Sequence, residues 1–152
     1  LGDVYKRQIN TDYRILNNKS INPGFLLAVF LWPDVKLAWD NSTKNIHPSI
    51  SLNEAIDSTL LKQSKVFPIQ KRFAITMSEI WRLQPRFENL NPKRTYRLSG
   101  HPRFRAAYDF LLLRSLQDKS LKNNASWWTN FMGADEGKKN KLIQQRNFKK
   151  NA

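Results

Sequence analysis

The sequence predicts an all-α fold, an irregular multi-helix bundle followed by a flexible basic C-terminal tail. Three observations lead to this prediction. Segments with apolar residues at helical spacing recur along the chain of 152 residues. Asparagine, serine and proline stand where these segments begin, and glycine stands where two of them end. Runs with the alternating pattern of a β-strand are nearly absent.

The composition is that of a chain that can bury a core. Apolar residues make up 40% of it, with nine Phe and five Trp, which argues against general disorder. The absence of cysteine excludes a disulfide framework and thiolate metal sites and is compatible with a reducing compartment. The longest apolar run, residues 25–32, is far shorter than the roughly 20 residues of a membrane-spanning helix. We therefore expect no membrane insertion, and the N-terminal residues do not show a signal-peptide pattern.

The first two helices are predicted from their starting residues. Asn22 is a favourable N-cap and Pro23 a favourable first helical residue. Pro33 is expected to kink or divide this helix. A capping box with Ser51 at the cap and Glu54 three residues later predicts the start of the second helix.

A long third helix is predicted from Pro68 to about Asn89, with one apolar and one cationic face. The apolar residues at helical spacing are Ile69, Phe73, Met77, Ile80, Trp81 and Phe87. Lys71, Ser78, Arg82 and Arg86 fall on another face. Pro85 lies inside the segment and is unfavourable for its last turn.

Three shorter elements complete the prediction. One helix begins at Asn91–Pro92 and stops at Gly100, and the next begins at His101–Pro102. The apolar stripe of that next helix contains Phe104, Ala107, Tyr108, Leu111 and Leu112, with Arg103 and Arg105 off the stripe. Residues 121–132 form a last short helix closed by Gly133, and residues 133–152, with little periodicity, form the flexible basic tail.

The net charge of +14 is concentrated in one part of the chain. Residues 1–61 contain six basic and six acidic side chains, whereas residues 62–114 contain twelve basic and three acidic ones. Such a one-sided field attracts polyanions, chiefly nucleic acid or an anionic membrane face. The alternative is a solvated basic face that only increases solubility, but three acidic residues are too few to neutralise the patch locally.

No catalytic or metal site is predicted in this chain. Its two histidines, His47 and His101, each precede a proline at an expected helix start, where a cap or turn role is favoured over catalysis. The five glycines do not form a phosphate-binding loop, and no serine lies in a nucleophile elbow. The one close pair of acids, Asp135 and Glu136, lies in the expected tail, so we expect no site for divalent ions.

Basic residues interleaved with aromatic residues are the positive signal. Lysine and arginine bind phosphates, and accessible rings can stack on unpaired bases, although we expect most of these rings to be core. The pattern does not distinguish RNA from DNA. The predicted nucleic-acid-binding residues are Lys71, Arg72, Arg82, Arg86, Lys93, Arg94, Arg97, Arg103 and Arg105. We expect residues 71–105 to form one continuous surface for phosphates.

Four segments in order carry a resemblance to a known family. They are "INPGFLLAVFLWPDV", "FPIQKRFAITMSEIWRLQPRF", "HPRFRAAYDFLLLRS" and "WWTNF". Together, over roughly residues 20–132, they resemble the C-terminal half of bacterial poly(A) polymerases, members of the class II nucleotidyltransferase superfamily. The resemblance departs from the family at the tail, which is short and rich in Lys, Asn and Gln instead of a long arginine-rich extension.

The resemblance implies a catalytic head, absent from this chain, that uses ATP and Mg²⁺ to add AMP to RNA 3′ ends in polyadenylation and RNA turnover. Residues 9–132 would be the non-catalytic region that binds single-stranded RNA 3′ segments, and no cofactor is expected in this chain. In residues 101–115 the first turn would face the RNA and the remainder would be core. RNA-decay proteins are implied as further partners, and the bacterial cytoplasm as the location.

Two alternatives stay open, and one segment is set apart. The chain could be the RNA-binding region of a CCA-adding tRNA nucleotidyltransferase, or a basic helical scaffold that binds an acidic protein. Residues 1–8 resemble translated sequencing-adaptor read-through, and we expect them to be an artefact outside the fold.

Overall fold

The computed structural model describes residues 22–42 and 46–151. These residues form seven α-helices and two short 3₁₀-helices without a strand, which confirms the all-α prediction. The α-helices are α1 (Pro23–Asp40), α2 (Pro48–Ser64), α3 (Lys71–Leu83), α4 (Pro92–Ser99), α5 (Phe104–Gln117), α6 (Lys122–Met132) and α7 (Glu136–Asn151). The 3₁₀-helices are Gln84–Glu88 and Lys119–Leu121. Residues 1–8, predicted to be an artefact, lie outside the described residues.

The chain divides into two compact units, and the boundary falls at the end of α3. The first unit runs to Arg82 and the second begins at Leu83. Within the described part of the chain, no helix has both the length and the apolar character needed to cross a membrane.

The first unit is built on α1, which packs along α2. Asn22 caps α1 as predicted, with its Oδ1 accepting from the backbone N–H of Gly24 at 2.8 Å. The buried Trp81 of α3 donates from Nε1 to the backbone oxygen of Ala28 at 3.2 Å, which ties α3 to α1. The buried apolar residues of this unit are Phe25, Ala28, Leu31, Trp32, Val35, Leu52, Ala55, Ile56, Met77, Ile80 and Trp81.

Pro33 does not divide α1, so that part of the prediction is wrong. The helix continues through it to Asp40. The proline ring is exposed, while Leu31, Trp32 and Val35 on the other side are buried. Burial of that side stabilises the helix enough to tolerate the missing backbone donor.

The predicted capping box of α2 is also wrong. The helix begins at Pro48 and its N-cap is His47, whose Nδ1 accepts from the backbone N–H of Ser49 at 3.2 Å. Ser51 lies within the first turn, where its buried hydroxyl accepts from Trp39 Nε1 at 3.1 Å and donates to the Pro48 oxygen at 3.0 Å. The proline at 48 starts the helix earlier because it is pre-organised for a first helical position.

The third predicted helix is shorter than expected at both ends. α3 starts at Lys71 rather than Pro68, and after Leu83 the backbone tightens into the 3₁₀-helix that contains Pro85. Met77, Ile80 and Trp81 are buried as predicted. Ser78, predicted to lie on the cationic face, is buried instead.

The second unit has a core rich in aromatic residues. Trp128 is fully buried, donates from Nε1 to the Phe87 oxygen at 2.9 Å and meets the Phe87 ring edge-on at a centroid distance of 5.2 Å. The core residues are Leu83, Phe87, Leu98, Phe104, Ala107, Tyr108, Leu111, Ala125, Trp128, Phe131 and Ile143.

The helix limits predicted around this core are mostly confirmed. Asn91 caps α4 and Gly100 ends it, and Gly133 ends α6. α5 starts at Phe104, two residues after the predicted Pro102. His101 takes the expected turn role, since its Nδ1 accepts from the backbone N–H of Arg103 at 2.9 Å.

The segment expected to be a flexible basic tail contains a helix that its weak periodicity did not indicate. Residues 136–151 form α7, and its Ile143 is only 3% exposed within the core of the second unit. Trp127 Nε1 donates to the Leu142 oxygen at 3.4 Å. The sequence did not indicate this helix, because α7 has few apolar residues and many lysines, asparagines and glutamines.

Candidate nucleic-acid interface

The clearest group of predicted cations lies on α4. Lys93, Arg94 and Arg97 are all exposed, whereas Thr95 and Leu98 are buried on the other side of the helix. Residues three and four apart are neighbours on a helix surface, so the three cations share one face. We call Lys93, Arg94 and Arg97 the basic face of α4.

The start of α5 carries a second pair of predicted cations. Arg105 is exposed and its Nε lies 3.4 Å from Asp109 Oδ1, with 71% of the Arg105 side chain accessible. Its guanidinium carbon lies 5.7 Å from the centre of the Tyr108 ring. Only 13% of the Asp109 side chain is accessible, so the pair is exposed on the arginine side alone. Arginine carries five N–H donors, so the accessible guanidinium can bind a phosphate while it is paired with Asp109. Arg103 is half-buried.

The predicted apolar stripe of α5 is buried except for Leu112, which is half-buried and packs against the core. Phe104, Ala107, Tyr108, Phe110 and Leu111 are buried. Residues 101–115 therefore combine an accessible cationic start with a buried remainder.

The first unit contains three predicted cations, all exposed and placed at the two ends of α3. Arg72 Nε donates to Gln70 Oε1 at 3.0 Å, and its guanidinium carbon lies 4.7 Å from the centre of the Phe73 ring. Arg82 Nε donates to Asn53 Oδ1 at 2.8 Å. At a rise of 1.5 Å per residue, Lys71 and Arg82 are separated by roughly 16 Å along the helix.

The predicted cations thus form groups within each unit. Lys71, Arg72 and Arg82 belong to the first unit, and the remaining six belong to the second, where Arg86 is half-buried in the 3₁₀-helix. The continuous surface expected over residues 71–105 stays a prediction.

Most aromatic residues between these cations belong to the core, as expected. Trp81, Phe87 and Phe104 are buried, and only Phe73 and Tyr96 are half-buried. The cations are therefore the accessible part of the pattern, and their chemistry suits phosphates better than unpaired bases.

Two arginines outside the predicted set have structural contacts that the sequence does not reveal. Arg114 Nη1 donates to Gln84 Oε1 at 3.0 Å, and burial lowers the pKa of Arg114, against the opposing effects of Glu88 and Asp118. Arg146 of α7 donates to Thr95 and Asn89, and burial lowers its pKa to about 10. Their partners lie 30 to 57 residues away in sequence, so no local motif predicts them.

The described residues contain no group of three or more histidine, aspartate or glutamate side chains placed to hold a metal ion. What the accessible cations can do chemically is bind anionic groups without covalent change.

Comparison with known proteins identifies the relatives of this chain. The family model of the polymerase A arginine-rich C-terminus matches residues 44–152, which include all nine predicted cations. Poly(A) polymerase I of Escherichia coli O157:H7 is 34% identical over 129 residues, covering 80% of this chain and 27% of the relative. Poly(A) polymerase I of Salmonella typhi is 32% identical over 133 residues, covering 82% and 28%. Poly(A) polymerase I of Haemophilus influenzae is 28% identical over 144 residues, covering 90% and 31%. The chain spans less than a third of the length of these curated relatives.

Proposed function

The chain belongs to the family of the polymerase A arginine-rich C-terminus, and on this premise we propose that it binds single-stranded RNA for a poly(A) polymerase without being catalytic itself. The observation that carries the proposal is the basic face of α4, where three accessible cations share one side of a helix whose other side is core. This face lies inside the part of the chain that the family model matches.

The chemistry of that face suits a phosphate backbone. Each lysine or arginine that neutralises a phosphate releases a condensed counterion, so affinity falls as salt rises. Contacts to phosphate carry no direct information on base sequence. We therefore expect binding that tolerates different sequences and depends strongly on salt.

The proposal also assigns the catalytic step to another part of such an enzyme. The addition of AMP from ATP to RNA 3′ ends, with Mg²⁺, would be carried out by the remaining part of a poly(A) polymerase. This chain would hold the 3′ segment of the RNA. The bacterial cytoplasm is the proposed location, and RNA-decay proteins are proposed partners, to be sought by pull-down after nuclease treatment.

The test is a triple substitution of the basic face, Lys93→Gln, Arg94→Gln and Arg97→Gln. If each residue contacts one phosphate, the slope of log affinity against log salt should become less steep by about 2, since single-stranded nucleic acid contributes roughly 0.7 per phosphate contact. Affinity at about 0.1 M salt should fall by roughly 100-fold by the same relation. Fluorescence anisotropy with labelled oligo(A) over a salt series measures both quantities.

A matched control removes three exposed lysines outside residues 71–105, namely Lys62→Gln, Lys65→Gln and Lys122→Gln. We expect a change of less than about threefold, because these side chains are not in the predicted set. Equal losses of oligo(A) affinity in both triple variants would mean that RNA is attracted by net charge alone.

Two other outcomes would favour the alternative functions. Failure to retain RNA at low salt, together with capture of an acidic protein, would favour the scaffold alternative. Preference for folded tRNA over oligo(A) would favour a CCA-adding enzyme.

A further inference from the structure

The C-terminal helix α7 is hydrogen-bonded to α4, the helix that carries the basic face. Arg146 Nη2 of α7 donates to Thr95 Oγ1 at 2.9 Å and to the backbone oxygen of Asn89 at 3.3 Å. Closer to the start of α7, Asn140 Oδ1 accepts from the Tyr96 hydroxyl at 2.5 Å. Two successive residues of α4, Thr95 and Tyr96, are thus fixed to α7.

The contacts of Arg146 continue to the residues that start α4. Thr95 Oγ1 accepts from Arg146 and donates to the backbone oxygen of Asn91 at 2.9 Å. Asn91 is the N-cap of α4, and its own backbone N–H donates to Asn89 Oδ1 at 2.8 Å. Arg146 therefore bonds directly to Asn89 and, through Thr95, to the cap residue.

The environment of Arg146 is that of a structural residue. Its guanidinium carbon lies 3.7 Å from the centre of the Trp127 ring, and burial lowers the pKa of Arg146 to about 10. Among the described residues its Nε and Nη1 atoms are buried without a hydrogen-bond partner. The guanidinium is thus stacked on a ring, hydrogen-bonded through Nη2 and buried at its other two nitrogens, so its contacts lie within the fold.

α4 depends on such contacts because it is short. It has eight residues, fewer than the 12 to 15 or so at which an isolated helix becomes even marginally stable. Its inner side is fixed by Leu98 in the core and by Thr95 beneath Arg146. Whatever fixes this inner side also determines where the basic face points.

We propose that α7, through Arg146, positions α4 so that Lys93, Arg94 and Arg97 are presented together to RNA. Arg146 is then a positioning residue and not an RNA contact. This inference rests on the proposed function for its consequence in binding, although the coupling between α7 and α4 can be tested without RNA.

The test replaces Arg146 by Met and compares it with Lys141→Met, which removes one positive charge from the exposed side of the same helix. Amide hydrogen exchange of residues 95–99 should become about tenfold faster in Arg146→Met and stay unchanged in Lys141→Met, since a hydrogen bond to a charged group is lost only in the first. Oligo(A) affinity should fall about tenfold in Arg146→Met and by less than about twofold in Lys141→Met, which removes a single exposed charge outside the predicted set.

A second variant distinguishes loss of the Arg146–Thr95 hydrogen bond from a general loss of structure. Thr95→Val keeps the size and charge of the site but removes the hydroxyl that Arg146 bonds to, so it should reproduce the faster exchange with the helical circular dichroism signal retained. Unchanged exchange of α4 in both Arg146→Met and Thr95→Val would overturn the inference. Faster exchange with no RNA binding in any variant, the unsubstituted chain included, would instead refute the proposed function and leave the coupling between the helices standing.

Discussion

Gly24 of α1 lies close to Thr76 of α3. A Cβ atom built on it would lie 3.0 Å from both Cβ and Cγ2 of Thr76 and 3.1 Å from Oδ1 of the cap residue Asn22. Gly24→Ala should therefore lower the free energy of unfolding by about 1 kcal/mol, because overpacking costs about 1–3 kcal/mol and the better helix propensity of alanine returns up to about 1 kcal/mol. Urea denaturation followed by circular dichroism measures the difference.

Gly133 provides the control for this substitution. A Cβ atom there would meet nothing closer than the Thr129 oxygen at 3.8 Å, and φ is −83°, which any residue adopts. Gly133→Ala should leave stability unchanged or raise it by up to about 1 kcal/mol, since alanine restricts the unfolded chain. The close approach at Gly24 would be refuted if Gly24→Ala were as stable as Gly133→Ala.

Single residues were predictable from the sequence where their role depends on neighbours in the chain. The cap at Asn22 and the turn role of His101 depend on atoms two residues away. Ser78 was assigned to the wrong face, and no role was predicted for Arg146, because their environment comes from other helices, which spacing along one helix cannot report. Charge alone predicts exposure, and seven of the nine predicted cations are exposed, whereas Arg86 and Arg103 are half-buried.

Pro33 imposes a local cost on α1 that the structure tolerates. It lies in the middle of the helix and cannot donate a backbone hydrogen bond to the Val29 oxygen, one turn earlier. The ring is exposed, so its removal opens no cavity. Pro33→Ala should raise the free energy of unfolding by about 1–3 kcal/mol, because interior proline costs up to about 3 kcal/mol relative to alanine.

Pro48 is the matched control, since it occupies the first helical position of α2 and is also exposed. The N–H missing there would have no partner within the helix, so Pro48→Ala should change stability by less than about 0.5 kcal/mol. Chemical denaturation of both variants compares the two positions. A Pro33→Ala protein no more stable than Pro48→Ala would show that the α1 backbone had already relaxed around the ring.

Whole elements were predictable to the extent that their own residues define them. The Asn–Pro start and glycine end of α4 are local signals, and both were correct. α7 was missed because its stability comes from α6 and α4, through Ile143, Arg146 and Asn140, and not from an apolar stripe of its own. The start of α3 was placed too early because Pro68 has helix-starting chemistry, but the residues up to Gln70 have no regular secondary structure.

At the scale of the molecule, charge and core are distributed between two compact units. The predicted cations lie at the end of the first unit and through the first half of the second. Each unit presents exposed cations of its own, on α3 and on α4. The prediction that these cations form one surface rests on their closeness along the chain. Closeness along the chain does not fix the direction of each helix, because that direction depends on packing.

The salt dependence of RNA binding can determine whether both groups of cations contact one RNA. Lys71→Gln with Arg72→Gln tests α3, and Lys93→Gln with Arg94→Gln tests α4. If a long oligo(A) runs over both, each pair should make the salt slope less steep by about 1.4, and the fourfold variant by about 2.8, at roughly 0.7 per phosphate contact. Short oligo(A) that reaches one group should respond to one pair only. The opposite result is a salt slope for long oligo(A) that changes with one pair only and changes no further in the fourfold variant. In that case the cations do not form a continuous surface, and RNA is held by one unit alone.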